Sequence, residues 1–345
     1  MANAPSALFQ IALLGGETLL GGEIKEVFEA QLKGLFVNAY AASGEGSFGE
    51  SEGEAVYLDP FDLKAVEAAG AIVTAGAAAG SLKAYSLAKK LKGKVPLIDC
   101  AGHLEQEPEA RILAPIPGEA NPPGVWLFVT AQPAAAAIAE TLRRLARWRP
   151  IARAVVNVFE PASERGKSGA AELHQQTTSL LAFKGLDKDI FDAQLGFNLL
   201  PQYGPAAPLK LAVLERRIER HIELLLKQAA APKVKGASVP MPSVRLIQAP
   251  VFHAYSISFW IEFAAEFAVQ ELGHALASAQ IEVRESTQEA PHGIGAAGHS
   301  GLIAGDIRPD RNNPRAAWLW VVCDNLRMTA DTAVTLIRSI KAQKS

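Results

Sequence analysis

The stretch that most constrains the fold is Phe9–Ala30, FQIALLGGETLLGGEIKEVFEA. Phe9–Leu14 is a short apolar run of the length of a buried strand. Gly15, Gly16, Gly21 and Gly22 supply a turn. From Ile24 the apolar residues Ile24, Val27, Phe28 and Leu32 recur at helical spacing. A strand feeding a helix through glycines opens a doubly wound α/β domain, and a nucleotide pyrophosphate would sit at that helix N-terminus. Gly15, Thr18 and Gly21 stand where a G-x-x-G-x-x-G turn would have three glycines. The middle one is replaced, so a side chain would project where a phosphate should approach. Read alone, the turn fits a nucleotide site and an ordinary connection of inherited shape equally well.

The rest of the first half alternates strand and helix. Gly34–Ala42 reads as a second strand, and Ser43–Glu54, almost all Gly, Ser and Glu, as a mobile surface loop. A short strand is expected at Val56–Leu58 and a short helix at Pro60–Ala69. Ala71–Thr74 is a buried strand ending in Ala75-Gly76. Ser81–Leu91 is an amphipathic helix with Lys83, Lys89 and Lys90 outward. Val95–Asp99 and Val125–Val129 are further strands. Such alternation predicts a mostly parallel sheet covered on both faces. Gln132-Pro133 then opens an alanine-rich helix to about Ala146, with proline in the first turn.

The second half reads as mixed α+β. A strand is expected at Ala152–Phe159 and a helix at Ser168–Leu181. Gln194–Pro201 leads into a turn, and a long charged helix covers Pro208–Gln228. A Pro/Ala/Lys connector follows at Ala230–Pro242. One or two long strands are expected in Ser243–Phe263, another at Trp318–Val322, and a last helix at Ala330–Ala342. Val251–Ile261 alternates, placing His253, Tyr255, Ile257 and Phe259 on one face and Ala254, Ser256, Ser258 and Trp260 on the other. Both faces carry bulky groups, so both must be covered, by the domain's own helices or by a partner subunit.

Length and charge exclude several function classes. A chain of 345 residues accommodates two ordinary domains. A net charge of −2 supports neither nucleic-acid binding nor a membrane-surface role. Two cysteines, Cys100 and Cys323, argue against a disulfide framework and fit a reducing compartment. The start MANAPSALFQ lacks a basic n-region, so no signal peptide is expected. Ala69–Ala79 is too short for a membrane span. The reading is a cytoplasmic protein.

LGFNLLPQ at Leu195–Gln202, QAPVFHAYS at Gln248–Ser256 and LWVVCDNLR at Leu319–Arg327 carry a family resemblance, with weaker support from TAGA at Thr74–Ala77 and LIDCAG at Leu97–Gly102. The chain resembles the aspartate-semialdehyde dehydrogenases nearly end to end. ASERGKSGAAEL at Ala162–Leu173 is similar to the version in their Usg-type paralogues. The resemblance implies a Rossmann-like dinucleotide-binding domain plus a mixed-sheet domain that forms a homodimer. It also implies an NADP-dependent reduction of an acyl phosphate to an aldehyde. In that reaction a cysteine thiolate attacks, a histidine serves as acid/base, and arginines hold the substrate's carboxylate and phosphate.

Carried over residue by residue, this chemistry is missing. The nucleophile position falls on Gln132 or Pro133, neither of which forms a thioester. The histidine falls on Tyr255, a poor base at neutral pH. The carboxylate-binding arginine falls on Gln248, and the arginine after the Leu97–Gly102 segment falls near Glu105, which would repel phosphate. No Lys or Arg lies between Lys33 and Lys64, whereas Glu45, Glu50, Glu52, Glu54, Asp59 and Asp62 do. These carboxylates argue against NADP, and NAD is the cofactor the fold could still take. The expected nucleotide-contacting residues are Gly15, Gly16, Gly21, Ala75 and Gly76, with Asn325 in the nicotinamide-facing loop.

Other candidates have bland readings beside the sharp ones. Cys100 ends a strand where ligands collect, yet such a cysteine is more often a small buried residue, and only His103 could activate it. Cys323 reads as packing. His253 and Tyr255 read as structural rather than as a dyad. His292 and His299, in HGIGAAGHS, match no standard metal spacing, so no metal is expected and a mobile loop is. The charged helix around Glu215–Arg220 matches the family's substrate helix and, equally, a solvated face.

The expected fold is therefore α/β: a degenerate NAD(P)-binding Rossmann domain over 1–132 with a C-terminal helix 326–345, and a dimerisation domain over 133–325. The expected function is a non-catalytic binding or regulatory paralogue without catalytic residues, a homodimer with scope for a further protein partner. The alternative is an NAD(P)-dependent oxidoreductase acting on an aldehyde or acyl phosphate in amino-acid biosynthesis.

Overall fold

The computed structural model describes residues 9–51, 54–114, 124–228 and 239–344. Most of the connector expected at Ala230–Pro242, and residues 1–8 of the N-terminal segment, lie outside the described residues. The chain divides into two units, Met1–Ala131 with Thr329–Ser345, and Gln132–Met328.

The first unit runs β1 (Phe9–Leu14), α1 (Leu19–Gln31), β2 (Leu35–Tyr40), β3 (Ser47–Ser51), β4 (Glu54–Leu58), α2 (Leu63–Ala68), β5 (Ala71–Thr74), α3 (Ala78–Lys90), β6 (Leu97–Asp99), β7 (Ala110–Leu113) and β8 (Leu127–Thr130). Its main sheet has the order β2-β1-β5-β6-β8-β7 and is parallel throughout. Ile11, Leu13, Val73, Ile98 and Phe128 form one buried cluster with Ile24, Val27 and Phe28 of α1. Ala333, Val334 and Ile337 complete that cluster. Each fully buried Ile, Leu or Phe there stabilises the fold by about 1.5–3 kcal/mol, which holds helix faces of only modest intrinsic propensity in place.

Three expectations change here. α1 starts at Leu19, not Ile24, so Gly21 and Gly22 lie in its first turn rather than before it. The turn proper is Gly15, with φ +92°, where a Cβ would come within 2.7 Å of Gly76 N. The region Ser43–Glu54 is not simply a loop: it holds β3, which pairs antiparallel with β4 over the strand expected at Val56–Leu58, with an edge-to-face contact of Phe48 and Tyr57 at 5.3 Å. The edge strand β7, without a counterpart in the sequence reading, pairs with β8.

The second unit runs α4 (Pro133–Ala146), β9 (Ile151–Glu160), a 3-10 turn (Ala162–Arg165), α5 (Gly166–Leu181), α6 (Leu211–Gln228), β10 (Ser243–Gln248), β11 (Tyr255–Phe263), α7 (Val269–Leu276), β12 (Ile281–Val283), α8 (Gly293–Ala296), β13 (Leu302–Pro309) and β14 (Ala316–Cys323). α9 (Asn325–Lys344) begins here and continues into the first unit. The mixed sheet has the order β10-β9-β11-β14-β13-β12. Register places Val156, Phe259 and Leu319 side by side, and likewise Val158, Ile257 and Val321; all are buried. α4 packs on β9, β14 and α6, and α6 packs on β10. On the opposite face Val155 is 41% and Trp318 40% exposed, with Trp260 and Trp320 partly buried between strands.

The strand expected over Val251–Ile261 begins only at Tyr255. Ala254 has φ +71°, a left-handed conformation that breaks the alternation. His253 therefore does not share a strand face with Tyr255 and is exposed. The stretch HGIGAAGHS is not simply a loop either, since α8 forms within it.

Candidate functional site

In the first unit, the sheet changes direction of winding at β1, whose neighbours are β2 and β5. Ligands of open α/β sheets bind at the carboxyl ends of such strands. Gly15, Gly16, Gly21, Ala75 and Gly76 gather there. Gly21 presses on the turn, since a Cβ on it would lie 1.9 Å from Gly15 O. The edge is already furnished by side chains of the chain. Thr18 caps α1: its hydroxyl accepts from Gly21 N at 2.9 Å and is shared as a donor between Gly15 O at 2.8 Å and Ala75 O at 2.9 Å. The donor an incoming phosphate would use at that helix start is thereby taken. Glu17 Oε1 accepts from Ala42 N at 2.7 Å. Lys83, expected to point outward, instead donates to Gly44 O at 2.8 Å and to Glu45 at 2.6 Å.

Cys100 lies in the apolar cluster with Val73 and Ile98. Burial pushes its thiol well above the usual range, and the Asp99 carboxylate adds to this. His103 turns away to donate through Nε2 to Gly76 O at 3.1 Å. The thiol is therefore protonated and unreactive at neutral pH. Cys323 is likewise buried, with its thiol raised by burial and by Asp324.

In the second unit the resemblance-derived positions converge at one end of the buried sheet face. Glu160 ends β9, Gln248 ends β10 in register with it, and Tyr255 begins β11. Gln132 is the residue before α4, where Pro133 takes the first helical position at no cost in hydrogen bonds. The Gln132 side chain accepts from Ala135 N at 3.0 Å, and its backbone N–H donates to His221 Nδ1 at 3.0 Å. Its Nε2 donates to the Tyr255 hydroxyl at 2.5 Å, and that hydroxyl donates to Glu160 Oε1 at 3.2 Å. Arg165 donates to the same oxygen at 3.0 Å. The Tyr203 hydroxyl lies 2.6 Å from Gln248 Oε1 and 3.2 Å from Glu160 Oε2. Gln248 Nε2 donates to Glu160 O at 2.8 Å.

The network thus leads through two tyrosines to a carboxylate matched by a guanidinium; Gln132, Tyr255, Glu160, Tyr203 and Gln248 are buried and the Arg165 side chain is 10% exposed. Burial pushes the Tyr255 hydroxyl well above the usual phenol range, and Glu164 and Glu160 push it the same way. Tyr203 is raised by burial and by Glu160. Neither phenol can serve as a base at neutral pH. Asn325, a candidate cofactor contact, donates to Ser163 Oγ at 3.1 Å and Glu164 Oε1 at 2.9 Å, and accepts from Ala254 N at 3.2 Å. Its amide thereby holds the left-handed Ala254 in place.

The sequence reading missed Glu160, Arg165, Tyr203 and His221. The available signal was Glu160, an acid closing an apolar strand just before the Usg-like segment, and Arg165 near the start of that segment. His292 caps α8 by accepting from Gly295 N at 3.2 Å, and His299 lies 3.9 Å from Glu282. Among the described residues no helix is long and apolar enough to cross a membrane.

Comparison with known proteins matches residues 142–328 to the semialdehyde dehydrogenase dimerisation domain. A USG-1 protein homolog of Pseudomonas aeruginosa is 26% identical, covering 93% of each chain. An aspartate-semialdehyde dehydrogenase of Prochlorococcus marinus is 27% identical over 94% of each chain. The structure of a probable aspartate-semialdehyde dehydrogenase from Pseudomonas aeruginosa superposes with a TM-score of 0.80 at 24% identity, covering 98% of this chain and 99% of that one.

Proposed function

The chain belongs to the semialdehyde dehydrogenase family, and from that premise we propose that it is a non-catalytic, aspartate-semialdehyde-dehydrogenase-like paralogue that acts as a binding or regulatory subunit. One observation supports this reading: Gln132, Tyr255 and Gln248 are joined through Glu160 in one buried hydrogen-bond network, and the family resemblance puts the nucleophile at Gln132 or Pro133, the acid/base at Tyr255 and the substrate arginine at Gln248. A carboxamide is not a nucleophile for thioester formation, and a phenol held above its ordinary pKa does not accept a proton at pH 7. Neither cysteine is placed to take over, because both thiols are buried and kept protonated.

The second unit is the part suited to assembly. Its sheet carries an outward face with Val155, Trp260, Trp318 and Trp320, more apolar than a face left in water. A homodimer formed on this face accounts for that surface. In the first unit, the side chains at the sheet edge and the acidic surroundings of β2 support a degenerate nucleotide fold that does not hold NADP. The cytoplasm suits a protein with two free thiols.

The test is thiol reactivity. The native protein should take up no iodoacetamide at pH 7.5 within minutes, as read by intact mass, and two equivalents once unfolded in guanidinium. Rapid labelling of either native cysteine would show an available thiolate and count against the reading.

A further inference from the structure

We infer that Glu17 excludes dinucleotides bearing a 2′-phosphate from the first unit. The inference rests on reading that unit as a nucleotide fold. In such folds the adenosine ribose is read at the end of the second strand, about 20 residues after the glycine turn: a carboxylate there accepts from ribose hydroxyls, and a cation accommodates a phosphate. Here β2 ends at Tyr40, and residues 41 and 42 are both alanine. The charge comes from elsewhere. Glu17 reaches across from the glycine turn and its Oε1 accepts from Ala42 N at 2.7 Å.

This backbone is packed tightly against the entry of α3. A Cβ on Gly76 would lie 2.5 Å from Ala42 Cβ, and one on Gly80 2.1 Å from Ala42 O, so the Ala42 segment sits directly on the α3 entry. The N–H a phosphate oxygen would seek is thus occupied by an internal carboxylate. Its second oxygen, Oε2, is buried without a hydrogen-bond partner among the described residues. The nearby cation does not relieve this, because Lys83 is held by Glu45 at 2.6 Å and by Gly44 O. A 2′-phosphate brought to the end of β2 would be repelled by the Glu17 carboxylate behind that backbone, whereas a neutral ribose hydroxyl would not be.

The experiment titrates NADPH and NADH separately, by nucleotide fluorescence at low salt, into the full-length protein and its Glu17→Gln and Glu17→Ala variants. Glu17→Gln keeps a carbonyl oxygen for the Ala42 N–H, so it retains the local fold while losing the charge. Glu29→Gln, on the exposed side of α1, serves as a control. In Glu17→Gln, NADPH affinity should rise about tenfold or more, and NADH affinity by less than about threefold. Equal shifts for both nucleotides, or no gain for NADPH, would overturn the inference. Micromolar NADPH binding by the unaltered protein would overturn it as well. Thiol labelling and turnover do not involve Glu17, so failure here leaves the non-catalytic reading to stand or fall on those measurements.

Discussion

At the scale of single residues, Tyr255 decides the character of the site. Its hydroxyl links the Gln132 amide to Glu160. Removing it in Tyr255→Phe leaves a buried Gln132 amide hydrogen without its partner and Glu160 Oε1 with Arg165 as its remaining donor, which costs about 1–3 kcal/mol. Urea unfolding should register that loss, and a change below about 0.5 kcal/mol would mean that the network carries no stability. Glu262 gives a pH-dependent counterpart. Asn313 donates to it at 3.2 Å and Arg153 at 2.8 Å, and together with Arg315 they hold its carboxyl below the usual value of 4.5. Because the folded pKa is depressed, its contribution is fully present above the unfolded value. It is lost as pH falls through the lower, folded one. Glu262→Gln should therefore flatten the stability profile below pH about 4.5 relative to the parent, as followed by denaturant midpoints. An unchanged acid slope would contradict the assignment.

At the scale of elements, the N-terminus of α1 rests on a side chain, the Thr18 hydroxyl. Thr18→Ala removes the cap to Gly21 N and should cost about 0.5–2 kcal/mol, measured by thermal or urea unfolding. A neutral substitution would indicate that water replaces the cap. The same region shows what the sequence does and does not disclose. β1, α1 and the Gly15 turn are legible because burial imposes strand and helix periods on the apolar residues. In the hairpin β3–β4, the strand expected at Val56–Leu58 is legible as part of β4, whereas β3 is not, because Gly, Ser and Glu carry weak strand preference. β12 and α7 are short, and the α7 N-cap Ala268 makes no side-chain cap, so no local signal announces that helix. The site is legible in part. Gln132, Tyr255 and Gln248 follow from motif positions, but Glu160, Arg165 and Tyr203 join them only through strand register and a long loop, which a linear reading does not supply.

At the scale of the whole molecule, the proposed function requires a homodimer and no dehydrogenase turnover. Light scattering at low micromolar concentration should give twice the 36.6 kDa chain mass, since an obligate interface of roughly 2,000 Å² or more does not dissociate there. Val155→Glu, in the middle of the outward sheet face, should shift the protein toward monomer while leaving its secondary structure intact. A monomeric parent protein would instead leave the outward tryptophans unexplained. The central claim is tested most directly by turnover. Purified protein is assayed for phosphate-dependent formation of NADH or NADPH from aspartate semialdehyde. The expected result is no rate above the protein-free blank with either nucleotide. Turnover of about 1 per second or faster, the lower end of ordinary enzyme rates, would contradict it.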